Sequence, residues 1–570
     1  MLTSHELDLL SKVGTDAGWS LVEIFAKTRR EQPEEFDRGA AILAERIQSS
    51  GLNLKQHTPS IYLGVPRAAT IRCEGRSYRT KVAALSPNQE AFTAPLVHVP
   101  AREGAGRAHT NDPALIFGDG HTRESLKALV EGRIVITEGL SNPGRSELLQ
   151  ALGARAIITA NPGKAVHWGA SSVVWGNPTM EDVFRLPSIV SMAVCKDDGL
   201  ALAAAATRGV NITISADVLH GWFPQAVTTV DIEASGPHAH EFVLIHGHLD
   251  SWDLGVGDNA TGNATLLEVA RALNAQRHTL KRSIRVAWWP GHSAGRYAGS
   301  TWYADQFAFD LHKDCVAHLD CDSPGCKDAT DYSSIRGMAE AQPLVASTVK
   351  DLFGQSSKLE RPGRGGDYSF SNLGLTGAFL TSSMIPADER KRRGWYSVGG
   401  NGGSPTWHTE DDVFEVADRQ VLSNDIKLYT LAAARLAAVE TPMLDYRIPL
   451  RDIQARVEQV QTQAGHLVDL SVHLQLISKL QEQLGACYVD GSSTPASDRY
   501  AAVRAASRSI VRAGYVEKGA FEQDPAFQKP SVPMLCAAAH LQSNPHAPTS
   551  LLRGANNLRS ELEQAFVALT

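Results

Sequence analysis

The chain has 570 residues, of which 43% are hydrophobic and 21% charged. That balance suits about three or four globular domains of roughly 100–200 residues each and excludes a disordered chain. With 55 basic against 62 acidic side chains the formal charge is −7, so nucleic acid is not an expected partner; without a run of about 18 apolar residues, neither is a membrane.

The seven cysteines, Cys73, Cys195, Cys315, Cys321, Cys326, Cys487 and Cys536, are odd in number and sparse. They imply no disulfide framework. Cys321 and Cys326 have metal-like spacing, but no second pair follows, so no structural zinc site is expected. The first residues lack the basic start and apolar core of a secretory signal, so the expected location is cytoplasmic.

In chain order, Phe36, Ala40, Leu43, Ala44 and Ile47 step at helical spacing, with Gly51 as a stop. Strand-like stretches follow at 60–65 and 69–73. Residues 133–137, 146–152 and 156–159 read as strand, helix and strand, a β-α-β unit. Further strands are expected at 186–190 and 210–214. Residues 242–245 form a continuous apolar run, as a strand buried on both faces does. A helix is expected over 258–275, with apolar strands at 284–289 and 316–319. Alternation of strand and helix implies an α/β sheet. Over residues 431–570 the pattern is mostly helical. Ile453, Val457, Val460, Ala464 and Leu467, continued by Leu470, Leu474, Ile477 and Leu484, predict one long packed helix. Arg504, Arg508 and Arg512 recur every four residues and read as a solvated helix face.

Ligand sites in open α/β sheets lie beyond the carboxyl ends of the strands. One apolar run ends in His246-Gly-His248-Leu-Asp250, and Gly257-Asp258-Asn259 opens the next helix. Imidazoles and carboxylates in this strand-loop-helix order suit zinc or a similar divalent ion. Asp320 follows the strand at 316–319, and His408 sits in a polar loop. His246 reads as a packing or supporting residue. Between these segments, Trp288-Trp289-Pro290-Gly291-His292-Ser293 ends a strand in a turn that presents His292. Trp288 and Trp289 read as core. Arg296 follows on the same turn; a clamp on a substrate carboxylate and a surface arginine both suit it. Trp252 and Trp407 neighbour the candidate ligands and are placed to wall a pocket. The charged run 388–393 reads as a solvated loop, with an electropositive rim as the rival reading.

This order of motifs resembles metallopeptidase family 28, the co-catalytic zinc aminopeptidases and carboxypeptidases. The architecture is most similar to the group of glutamate carboxypeptidase II and the transferrin receptor. The resemblance implies a zinc-peptidase-like mixed sheet with helices on both faces, an inserted β-rich protease-associated-like domain and a C-terminal helical domain. Its divisions fall at residues 1–92 and 231–440 for the catalytic domain, 93–230 for the insert and 441–570 for a helical dimerisation domain. It implies His248 and Asp320 as ligands of a first metal, Asp258 as a bridging carboxylate and His408 as a ligand of a second. Asp250 would orient His248. Asp367 and Tyr368 would line the substrate pocket.

One departure matters. The family carries two adjacent glutamates, a general base and a metal ligand, where this chain has His292 and Ser293. His292 suits either role, base or replacement ligand, but not both at once. The reading is therefore a metal-dependent hydrolase of an amide or peptide bond in a small, carboxylated substrate. It would hold one or two divalent ions, zinc first, with manganese, cobalt or iron as alternatives, and it would be a homodimer. The lost glutamates leave two alternatives open: a non-peptidase metalloenzyme, such as a lyase or an unusual C–N hydrolase, and a non-catalytic receptor-like binding protein.

Overall fold

The computed structural model describes residues 1–379, 381–488 and 496–570. Two sheets organise it. The first has six strands in the order Leu54–His57, Val227–Ile232, Ser283–Trp289, Phe242–His248, Cys315–Asp320 and Gly377–Ala378. The first two run antiparallel and the rest are parallel. Phe242–His248 is buried along its whole length. Val243 and Ile245 face one core with Val286 and Leu319, while Leu244 faces another with Trp289 and Tyr303. The helices Thr261–Ala275 and Arg419–Ala437 cover the first face, and Ala298–Gln306 covers the second. This is the mixed sheet with helices on both faces, and double coverage explains why the strand reads as an unbroken apolar run. Trp288 and Trp289 are fully buried, one on each face.

The second sheet has eight strands drawn from residues 60–224, between the two antiparallel strands of the first. Its long ribbon pairs Ser60–Cys73 with Asn211–Pro224. The expected division at residue 93 falls inside the strand Gln89–His98, and sheet membership begins at Ser60. The strand expected at 186–190 lies instead at Val190–Val194. Pro187 cannot donate to a ladder, whereas residues 190–194 are buried throughout. All seven cysteines are free thiols.

Two helical expectations are corrected. The stripe from Ile453 to Leu484 is two helices, Arg447–Ala464 and Ser471–Cys487. Gly465 breaks it with a φ of 59°, which favours glycine. The arginine row of helix Ala496–Tyr515 is not a solvated face, because Arg508 and Arg512 are buried. Arg508 donates to the carbonyls of His312 (2.7 Å), Gly374 and Cys315. Arg512 is forked onto Glu561 (2.6 and 3.0 Å). Gly374 has a φ of 76°, and a side chain there would collide with the Arg508 backbone. The row thus docks the C-terminal helices onto the central sheet. Arg508→Ala leaves three carbonyls without this donor and is expected to cost about 3 kcal/mol in urea unfolding. An unchanged midpoint would mean that apolar contacts alone hold the interface.

Candidate metal centre

The carboxyl ends of three parallel strands lie side by side. His248 pairs in register with Trp289, and His246 with Asp320. His248 donates through Nδ1 to the Asp250 carbonyl (2.8 Å), which turns Nε2 toward Asp258 Oδ1 at 2.9 Å. The other Asp258 oxygen stands 3.2 Å from His408 Nε2. Asp258 thus sits between two imidazoles, as a bridging carboxylate does. Burial alone would raise its pKa, but His248 and His408 hold it well below the usual carboxylate range.

Asp258 precedes the helix rather than opening it. The helix starts at Thr261, because Asp258 and Asn259 have non-helical backbone. The Asp412 carboxylate accepts the N–H groups of Gly257 (2.7 Å) and Asp258 (3.0 Å). Burial, with Asp258 beside it, pushes Asp412 up to about 7. Arg30 is fully buried and pins the loop from below, donating to the carbonyls of Leu249, Leu254 and Gly255 at 2.9–3.1 Å. The sequence reading missed both residues. Asp412 had a signal, four residues after His408; Arg30 is far away in sequence and had none.

Three expected roles change. Asp320 does not face His248. It lies deeper, 3.5 Å from His246 Nδ1, and accepts the Asp367 N–H (3.2 Å). Burial and the nearby Asp367 and Asp322 push its carboxyl well up. Asp322, two residues on, takes the expected place: it stands 4.0 Å from His248 Nε2 and groups with His248 and His292, donor atoms within 4.8 Å of one another. Asp250 orients His248 with its carbonyl and not its carboxylate, which instead accepts the N–H groups of His292 and Ser293 (both 3.1 Å). Tyr368 is buried against His318, ring centroids 4.9 Å apart, and lines the core rather than a substrate pocket. Asp367 is engaged by His292 Nδ1 (2.8 Å) and Ser300 Oγ (2.7 Å). His246 supports from behind, sharing a hydrogen bond with His318 (3.0 Å).

The second sheet reaches this centre. Trp168 donates its N–H to the His408 carbonyl (2.9 Å), and its own carbonyl accepts from His408 Nδ1 (3.1 Å). That exchange leaves His408 Nε2 for Asp258. Trp407 stacks on His408, ring centroids 3.5 Å apart. Trp168 stacks on Trp252 and donates to Asp253 (2.9 Å).

The donor set fits a divalent cation. His248 Nε2 and Asp258 Oδ1 are buried without a properly directed hydrogen bond. Burial should lower the His248 pKa, yet Asp258, Asp322 and Asp250 push it well up, so the surrounding carboxylates favour positive charge at this place. Imidazole with carboxylate suits zinc. A cavity of about 930 Å³ opens over the centre, lined by Asp258, His292, Asp322, Trp407 and His408, with Arg296 deeper on its wall.

A mixed α/β sheet with buried imidazoles and carboxylates at its strand ends defines a metal-site fold of the zinc-peptidase type. Residues 228–430 match the model of Peptidase family M28. Among curated relatives, Leucine aminopeptidase 2 of Arthroderma otae is 26% identical over 271 residues, 47% of this chain and 49% of its own. Carboxypeptidase Q of Xenopus laevis is 27% identical over 139 residues, 24% of this chain and 28% of its own. The chain thus spans half or less of these relatives. An aminopeptidase from Aneurinibacillus sp. strain AM-1 and a zinc aminopeptidase from Bacillus subtilis share the fold, each with a TM-score of 0.55. They are 18% and 19% identical, with 76% and 75% of this chain and 96% of each of theirs aligned.

Asp322→Asn is expected to reduce zinc per chain at least about tenfold in elemental analysis, and Asp320→Asn to retain most of it. The reverse order would return the ligand role to Asp320.

Proposed function

We propose that this chain is a metal-dependent hydrolase of an amide or peptide bond in a small anionic substrate. The observation that carries it is the convergence of His248, Asp258, Asp322 and His408 beneath one deep cavity. When bound, a divalent ion at such a centre supplies Lewis acidity toward the scissile carbonyl and toward water. His248, Asp258 and Asp322 would hold a first ion, and Asp258 with His408 a second. Retention of these four residues favours an enzyme over a receptor-like protein. The His-Ser pair at 292–293 keeps a hydrolysis of an unusual C–N bond in view, so substrates beyond simple peptides belong in the screen.

The cavity wall supports the anionic substrate. Arg107, Arg296 and Arg336 surround His109, which burial and these three arginines push down to about 3, so it stays neutral. Arg296 donates to the Tyr297 hydroxyl (2.9 Å), yet its buried Nε and Nη2 have no partner among the described residues. Among the described residues Arg107 donates only to the Val398 carbonyl and the Ser397 hydroxyl. Glu138 lines the same cavity but already accepts from His98 and the Ala101 N–H. Buried guanidinium donors without acceptors await a carboxylate or another planar anion.

A panel of dipeptides and N-acyl amino acids, each with a free and an amidated carboxyl end, tests this reading. Hydrolysis of the free acids is expected, and chelation should abolish it. Arg296→Gln should raise KM for the free acid about 10–100-fold while moving the amidated substrate little. Equal losses on both would remove Arg296 from substrate recognition; activity that survives chelation would remove the metal.

A further inference from the structure

The rings of His248 and His292 lie face to face, with centroids 3.9 Å apart and planes inclined by 20°. Imidazole binds a metal through a lone pair in its ring plane, at about 2.0–2.1 Å for zinc. Two planes stacked and inclined in this way meet only roughly 10 Å from the rings, far beyond a bond of about 2.1 Å. One ion therefore cannot bind both residues in plane, although their donor atoms lie close together. His248 has the Asp258 carboxylate against Nε2 and is the ligand of the two.

A different set of contacts fixes His292. Nδ1 donates to Asp367 Oδ2 at 2.8 Å, and Ser300 Oγ donates to the other Asp367 oxygen at 2.7 Å. The His292 backbone N–H is held by Asp250 Oδ1 at 3.1 Å, and the Tyr297 ring meets the imidazole edge-on at 4.8 Å. This leaves Nε2 without a hydrogen-bond partner among the described residues, on a cavity wall shared with Asp258 and Asp322. Ser293, the next residue of that turn on the wall, has no carboxylate to offer.

We infer that His292 is not a metal ligand but the catalytic residue that carries the proton in amide hydrolysis, with Asp367 as its positioning residue. The inference rests on the hydrolase reading above. As the water oxygen bonds to the scissile carbonyl carbon, one water proton passes to His292 Nε2. As the C–N bond breaks, that proton passes to the leaving nitrogen. The acyl half leaves as an acid and the other half as an amine, so atoms and charge balance. Asp367 fixes the ring so that Nε2, and not Nδ1, meets the substrate.

The test uses the full chain with His292→Gln, His292→Ala and Asp367→Asn, each checked for folding by thermal melting. Zinc per chain and zinc affinity, by competition with a chelating dye, are measured beside turnover. All three variants should keep zinc affinity within about threefold of the unmodified chain. His292→Gln should lose turnover about 10²–10⁴-fold, and added imidazole should restore part of it to His292→Ala. Asp367→Asn should lower kcat with KM held. A fall of tenfold or more in zinc affinity for a folded His292→Gln would make His292 a ligand and overturn the inference, as would full turnover in that variant. If the unmodified chain hydrolyses nothing, the hydrolase reading falls and the proton-carrying role with it. The zinc titration then still decides, by itself, whether His292 is a ligand.

Discussion

Six carboxylates crowd the carboxyl ends of three strands, and the rest of the site is arranged around them. Asp250, Asp258, Asp320, Asp367 and Asp412 are buried, and Asp322 is nearly so. A buried carboxylate without a partner is costly and either pairs or takes up a proton. The site meets this cost in four ways. Asp250 and Asp412 accept pairs of backbone N–H groups. Asp367 is held by an imidazole and a hydroxyl. Burial and the nearby Asp367 and Asp322 push the Asp320 carboxyl well up, and it accepts the Asp367 N–H. Asp258 and Asp322 face His248 and are left for a cation, with Arg30 adding a fixed positive charge beneath the loop.

The second sheet is part of this arrangement and not an ornament on it. The donation of His408 Nδ1 to the Trp168 carbonyl fixes which imidazole nitrogen faces Asp258. Lys81, over the Trp168 ring, stands 3.1 Å from Glu410 in the same loop. A histidine positioned by a carbonyl from another sheet is sensitive to how the two sheets meet. Substrate entering the cavity touches both, since Arg107 and Trp168 come from one and Arg296 and Trp407 from the other.

The parts of the site legible in the sequence were those written on single elements. His248 closes an apolar strand, Asp258 follows a glycine before a helix, and His408 stands in a polar loop beside a tryptophan. Asp320 was expected to face His248 because it is the last residue of its strand, and strand-end position is the usual guide; it lies instead against His246. The chain leaves the strand there, and the carboxylate that turns back toward His248 belongs to Asp322. Asp367 and Tyr368 are neighbours in sequence but point to different surroundings, one to His292 and one to His318. The arginine row at 504–512 had the spacing of a solvated face, and only packing shows that Arg508 and Arg512 are buried against carbonyls and Glu561. Periodicity reports which residues share a face, not what that face meets.

The His-Ser pair at 292–293 alters the balance of the centre as well as its chemistry. Neither residue brings a carboxylate to a site already rich in them. The stack of His292 on His248 sets the proposed proton carrier one ring thickness from the proposed ligand. An anomalous difference map at the zinc absorption edge, from crystals grown with zinc, reads this arrangement directly. A peak bonded to His248, Asp258 and Asp322, with His292 still joined to Asp367 and outside the coordination sphere, is the expected result. A peak bonded to Asp320 or to His292, or no peak beside Asp258, would contradict it.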